Sequence, residues 1–262
     1  MKYSRNSRLV PTIYFTRGRA GQKGASLVEL IFVMPLFLIL VGGIIEISYT
    51  YRTKATLNAA TFDAVREGAV SNASKSAMKS ALAAGMVPVF VLGQSDAAGV
   101  ADAYRRSTQH EVALSGIASP QGLDTINIIS PTRSVFASFK SEVIVLDEQT
   151  VTTVEAIPND NLMYRSTDLQ SVSLADGNVQ MNIQDANLIK IKSLWCHRLL
   201  IPGLRDLAKR LIFTSNFVTM TTEQQTCNAL GEAGGELSGV YVAITSQAIA
   251  RSQSPIYDSD LE

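Results

Sequence analysis

The pattern of apolar and polar positions changes sharply along the first part of the chain. Residues 1–24 mix the two types and contain Lys2, Arg5, Arg8, Arg17, Arg19 and Lys23 without a single acid. Residues 27–49, LVELIFVMPLFLILVGGIIEISY, are apolar almost throughout, with Glu29 and Glu46 as the only formal charges. The charge-free stretch 30–45 covers roughly 24 Å at 1.5 Å per residue, somewhat short of a hydrocarbon core of about 30 Å, so flanking residues must extend the span. A secretory signal has a shorter core, about 7–15 residues, followed by an A-x-A-like site. The pattern therefore predicts one membrane-spanning helix over residues 25–50. Pro35 lacks a backbone donor and Gly42-Gly43 are poor helix formers, so the helix is expected to kink or loosen there.

Beyond Arg52 and Lys54 the helical period continues, with Leu57, Ala60, Ala64 and Val65 on one side, and predicts a helical stalk over 51–85. Residues 86–262 read as an α+β domain. A short apolar run occupies 86–92. A helix follows to about Leu114, with Ser95 as its cap. Residues 124–129 alternate as a strand, and Ser130-Pro131 opens a short helix carrying Val135, Phe136 and Phe139. Strands are expected at 143–146, at 171–174 and 179–183 around an Asp176-Gly177 turn, and at 188–195, 211–218 and 239–249. A short helix is expected near 204–210. Helices first and strands mostly later argue an antiparallel sheet, as in a pilin-like domain.

Composition adds direction. With 262 residues, 46% hydrophobic and 18% charged, the chain can bury a sizeable core, and its formal net charge is zero. No basic stripe with interleaved aromatics occurs outside the leader, so nucleic acid is not expected as a partner. The zero hides an asymmetry. Without residues 1–24 the basic count falls from 23 to 17 against 23 acids, leaving the remainder near −6. A basic flank before an apolar run stays cytoplasmic. The chain is thus expected in the inner membrane, single-pass, with the carboxyl-terminal domain periplasmic or in an extracellular fibre.

Glu29 is costly in a lipid-facing helix and needs a partner. A cut between Gly24 and Ala25 would supply one, because Ala25 would then carry a free ammonium one helical turn from Glu29, which becomes the fifth residue. The amine of a neighbouring subunit would serve equally and would fix axial register in a filament. The plainer alternative is that Glu29 snorkels to the headgroups.

The segment GASLVELIFVMPLFLILVGGIIEIS resembles the processing site and helix of type IV pilin-like proteins. Within that group it most resembles the TadE-like pseudopilins of the Flp/Tad (tight adherence) pilus, through Ala25 after the cut, Val28-Glu29 and Pro35. The continuation ATLNAATFDAVREGAV, residues 55–70, is similar to the family's Ala-rich helix, with Arg66 at its usual Arg. The resemblance implies cleavage by an aspartic prepilin peptidase. It also implies a minor, non-catalytic role in pilus assembly, adhesion or secretion, with other pilins and pseudopilins, the inner-membrane assembly platform and the lipid bilayer as partners. The competing reading is an uncleaved signal-anchored sensor or ligand-binding protein.

Catalytic chemistry has little support. His110 and His197 sit in no nucleophile motif, and GEAGG at 231–235 lacks the Lys and Ser/Thr of a phosphate loop. Asp160, Asp168, Asp176 and Asp185 match no calcium-loop spacing. Cys196 and Cys227, both expected outside the cytoplasm, suggest a disulfide. A zinc site from Cys196, His197, Cys227 and His110 would need adjacent residues as ligands without paired spacing. No enzyme, cofactor or metal is expected.

Overall fold

A computed structural model describes residues 25–91, 96–147, 150–174, 177–214 and 220–261. The basic leader lies outside them. Helix α1 spans Ala25–Val70 and continues through Pro35. The chain divides into two compact units at Val41/Gly42. In the first, the large apolar side chains from Leu30 to Leu40 are all exposed, Phe32 by 76%. The second, residues 42–262, is the folded domain.

The helix ends fifteen residues before the expected limit of the stalk, because the chain reverses. Asn72 and Ala73 take left-handed backbone conformations, φ 57° and 61°. The turn is held by Asn72, whose backbone N–H donates to Ser254 Oγ and whose side-chain amide donates to the Pro255 carbonyl. Helix α2, Lys75–Gly85, then folds back along α1. Gly85 sits against Ala60, where an added Cβ would lie 2.6 Å from the Ala60 Cβ, and Gly68 meets Met78 in the same way. Leu57, Ala60, Ala64 and Val65 are buried, as their spacing implied.

The apolar run after Met86 forms one helical turn, α3, Val87–Phe90. Helix α4, Ala97–Ala118, is capped by Asp96, whose carboxylate accepts from the Gly99 N–H. Ser95, the expected cap, lies outside the described residues. Strand β1 is Ile126–Ser130, and helix α5, Arg133–Phe139, buries Val135, Phe136 and Phe139 behind a Thr132 cap. Strands β2, Ser141–Asp147, and β3, Thr150–Ala156, form one hairpin. Strands β4, Gln170–Leu174, and β5, Gly177–Met181, form another. The Asp176 of the expected turn lies outside the described residues. Ile183, read as strand, begins instead the short helix α6, Ile183–Ala186, which an Asn182/Asp185 capping box closes.

Strand β6, Leu188–Arg198, is the centre of the domain. Helix α7 follows at Pro202–Thr214, so residues 211–214 are helical where a strand was expected; 215–218 lie outside the described residues. Leu211-Ile212-Phe213 resembled a buried strand, but they close the last turn of a helix already begun by Leu204 and Leu207. Helix α8, Thr222–Glu232, was not anticipated, and β7, Tyr241–Arg251, ends the sheet.

The main sheet has the antiparallel order β1-β6-β7, with β6 and β7 paired from Leu188↔Arg251 to Arg198↔Tyr241. One face packs on the outer half of α1. The contact is partly polar: Ser193 and Thr61 share a 2.6 Å hydrogen bond, Ser246 donates to Asn58, and Lys54 donates to the Thr245 carbonyl. Because the Thr61 hydroxyl proton goes to the Leu57 carbonyl, Ser193 is the donor of that pair. These bonds fix the register of helix on sheet, and Ile189, Ile191 and Trp195 fill the interior between them. The fold is therefore α+β, with a long apolar N-terminal helix followed by a domain of antiparallel sheets.

Candidate functional site

In the first unit, Glu29 is exposed on α1, four positions after Ala25, the first described residue. Gly24 lies outside the described residues. Pro35 is exposed within the apolar run. What this unit presents is an exposed apolar helix surface that carries one carboxylate. The helix is long and apolar enough to cross a membrane, with only 11% of its apolar window buried.

In the second unit, the carboxylate that bounds the apolar run from the other side has a different fate. Glu46 is 7% exposed, and its two oxygens accept the backbone N–H groups of Leu200 and Ile201, at 3.1–3.3 Å, immediately before α7. A carboxylate there satisfies donors ahead of a helix and faces the positive end of its dipole. Beside it, the Leu204 and Ile201 side chains pack on Gly42, where an added Cβ would lie 3.2 Å from Leu204 Cδ1. Glu46 thus ties the outer end of the apolar stretch to the β6–α7 connection.

His197 stands next to this carboxylate, with Nε2 3.8 Å from Glu46 Oε1 and Nδ1 2.9 Å from Thr53 Oγ1. The Thr53 hydroxyl proton goes to the Tyr49 carbonyl at 3.0 Å, so the His197 Nδ1–H donates to Thr53 Oγ1. Burial lowers the His197 pKa and Glu46 opposes the shift. His110 on α4 is buried more deeply. Its Nε2–H donates to the Cys196 carbonyl at 3.0 Å, and its ring stacks on Trp195 at 4.4 Å between centroids. Burial pushes its pKa down to about 4, against the pull of that carbonyl, so His110 is neutral near pH 7.

Cys196 on β6 and Cys227 on α8 are disulfide-bonded, with Cα atoms 5.4 Å apart. The bridge ties α8 to the sheet beneath Leu114, Leu194, Leu230 and Tyr241. With the cysteines 31 positions apart, chain entropy assigns it roughly 3–4 kcal/mol. Both thiols are thereby consumed, and no group of three or more His, Cys, Asp or Glu able to hold a metal occurs among the described residues.

Sequence reasoning treated Glu46 only as a boundary of the apolar run and His110 and His197 only as unassigned histidines. The one local signal was the position of Glu46 itself, an acid closing a membrane-length stretch. Its partners lie 154 and 155 positions away, and nothing in the local pattern points to them.

A sequence model of the TadE-like protein family matches residues 24–66. That segment is TadE-like. The match begins at the residue before the expected cut and takes in the exposed apolar run, Glu29, Pro35 and the first turns that pack on the sheet. No curated protein and no solved structure matches the chain. The match covers 43 of the 262 residues, and the long apolar helix that contains most of it fits a single-pass membrane anchor.

Proposed function

We propose that the chain is a minor pseudopilin of a Tad/Flp pilus, inserted in the inner membrane with its N-terminus cytoplasmic. A prepilin peptidase cuts between Gly24 and Ala25, and the exposed apolar half of α1 then carries the protein into the assembling fibre. The observation that supports this most directly is the coincidence of two features at one place. The TadE-like match starts at residue 24, and Glu29 stands exposed five residues later on an otherwise apolar helix surface.

In this reading the new Ala25 ammonium of one subunit neutralises Glu29 of the next. A carboxylate held in lipid costs a few kcal/mol on insertion scales, and an ion pair at that depth offsets the cost only at one axial register. The folded domain remains outside the membrane, where its disulfide is stable. Other pilins, pseudopilins and the inner-membrane assembly platform are the partners.

Intact-mass analysis of the membrane-extracted protein tests the first step. A chain beginning at Ala25 is expected, and retention of residues 1–24 refutes the proposal. The second step is tested by Glu29→Ala, which should be cleaved normally yet fail to enter pili. Normal incorporation of that variant contradicts the register argument.

A further inference from the structure

The charge-free run 30–45 reaches into the folded domain. Gly42, Gly43, Ile44 and Ile45 belong to both, since the second unit starts at Gly42. A helix needs about 20 residues to cross a hydrocarbon core, so a span that takes in the whole run holds Gly42 at least three residues, about 4–5 Å, inside its outer end. Ile44 and Ile45 are 58% and 44% exposed there, as lipid-facing residues would be.

Another part of the domain reaches the same level. Gly42 is buried under the side chains of Ile201 and Leu204, at the start of α7. The helix is therefore rooted inside the apolar run. Water is scarce at that depth, and backbone donors must be satisfied by the protein itself. The N–H groups of Leu200 and Ile201 are satisfied in this way, by the Glu46 carboxylate. The Ser48 and Thr50 hydroxyls likewise donate to carbonyls four residues back, those of Ile44 and Glu46.

From this root the sequence of α7 is two-sided. Leucines recur at positions 204, 207 and 211, the spacing of one helix face, with Arg205, Asp206, Lys209 and Arg210 toward the other. An amphipathic helix of a soluble domain buries its apolar face on the core. Here Leu207 is 44% exposed, only three residues beyond the Leu204 contact with Gly42.

Charge points the same way. Residues 25–262 carry 17 basic and 23 acidic residues, yet α7 has three bases against one acid. Arg205 lies 3.9 Å from Asp206, whereas Lys209 and Arg210, both exposed, have no carboxylate within ion-pair distance among the described residues. Basic side chains next to a membrane span are drawn to anionic headgroups.

We propose that α7 is a second membrane contact, an amphipathic helix that lies on the face of the bilayer where α1 emerges. Leu204 and Leu207 enter the boundary between headgroups and acyl chains, about 5–10 Å deep, and Lys209 and Arg210 meet the phosphates of anionic phospholipids. The inference rests on membrane insertion of α1 and is independent of its cleavage and of the pilus.

Tryptophan quenching by lipids brominated near the headgroup end of their acyl chains tests it, on the full chain in nanodiscs of phosphatidylcholine alone or mixed with phosphatidylglycerol. Trp195, 1% exposed, lies beyond reach of the bromine and supplies the baseline. Leu38→Trp, with bromine placed deeper in the chains, reports the anchor; Leu207→Trp reports the apolar side of α7 and Asp206→Trp the polar side. The Leu207→Trp protein is expected to lose emission beyond the baseline, more so with phosphatidylglycerol, and the Asp206→Trp protein to stay near it. Each basic residue at the surface favours the bound helix by roughly fivefold, so adding Lys209→Gln and Arg210→Gln should cancel the difference between the two lipid mixtures. Quenching of Leu38→Trp without quenching of Leu207→Trp overturns the proposal and leaves the anchor standing. An unquenched Leu38→Trp removes the anchor and the proposal together. A blue-shifted but unquenched Leu207→Trp would mean that protein covers this face in place of lipid, and it overturns the assignment, as does equal quenching at positions 206 and 207 or in both lipid mixtures.

Discussion

Lowering the pH from 7 to 4 should loosen the domain through one side chain, His110. In an unfolded chain its imidazole would take up a proton near pH 6.5, whereas burial holds the folded ring neutral down to about 4. The folded pKa is depressed, so the unfolded state binds more protons through this window. Stability is therefore full above pH 6.5 and is lost as the pH falls toward 4. For a shift from 6.5 to about 4 the loss reaches roughly 3 kcal/mol at pH 4, a large share of a typical domain's stability. His197 shifts the same way and adds to the slope. Urea unfolding of the nanodisc-embedded protein at a series of pH values measures this, followed by emission of Trp195, the only tryptophan and the ring on which His110 stacks. His110→Gln keeps an N–H for the Cys196 carbonyl and removes the titration, so its stability should fall less by about 3 kcal/mol between pH 7 and 4. Equal slopes for the two proteins, or a His110 ring that titrates near 6.5 by NMR in the folded state, would refute the reasoning.

Glu46→Gln should lower the His197 pKa further, since the nearby carboxylate is what opposes the effect of burial; a histidine NMR titration that shows no change or a rise would contradict the 3.8 Å contact. The same variant should lose about 1 kcal/mol of stability by urea unfolding at pH 7, because a neutral amide faces the α7 terminus less favourably. Gly85→Ala should destabilise by about 1–3 kcal/mol on the same assay, because the new methyl meets Ala60 Cβ at 2.6 Å and Ala60 Cα at 2.8 Å and must push α2 off α1. Unchanged stability there would mean that the two helices yield freely at their contact.

The parts of this protein legible in sequence are those whose physics is local. A charge-free run between Glu29 and Glu46 specifies a lipid-compatible helix whatever follows, and Leu57, Ala60, Ala64 and Val65 announce a buried face by spacing alone. The α1 stop at Val70 was not legible. Ala-rich sequence on both sides favours continued helix, and the reversal depends on Asn72 and Ala73 adopting left-handed backbone held by Ser254 and Pro255, more than 180 positions away. Helix α8 was missed for a related reason: TEQQTCNALGE carries only three buried residues, Thr226, Cys227 and Leu230, and the disulfide supplies part of what a wider apolar face would otherwise provide.

Glu46 shows how the local and non-local parts meet. Its place at the end of the apolar run is read directly from sequence, and the natural inference is an acid reaching water at the membrane boundary. Instead it turns inward to the N–H groups of Leu200 and Ile201, beside His197, whose other nitrogen is bonded to Thr53 about two helical turns further along α1. The same helix that carries the TadE-like apolar surface is therefore clamped to β6 at its outer end by an acid and a hydroxyl on either side of one histidine. The clamp joins α1 to the strand that carries Trp195 and Cys196, next to the bonds by which Lys54 and Asn58 hold β7.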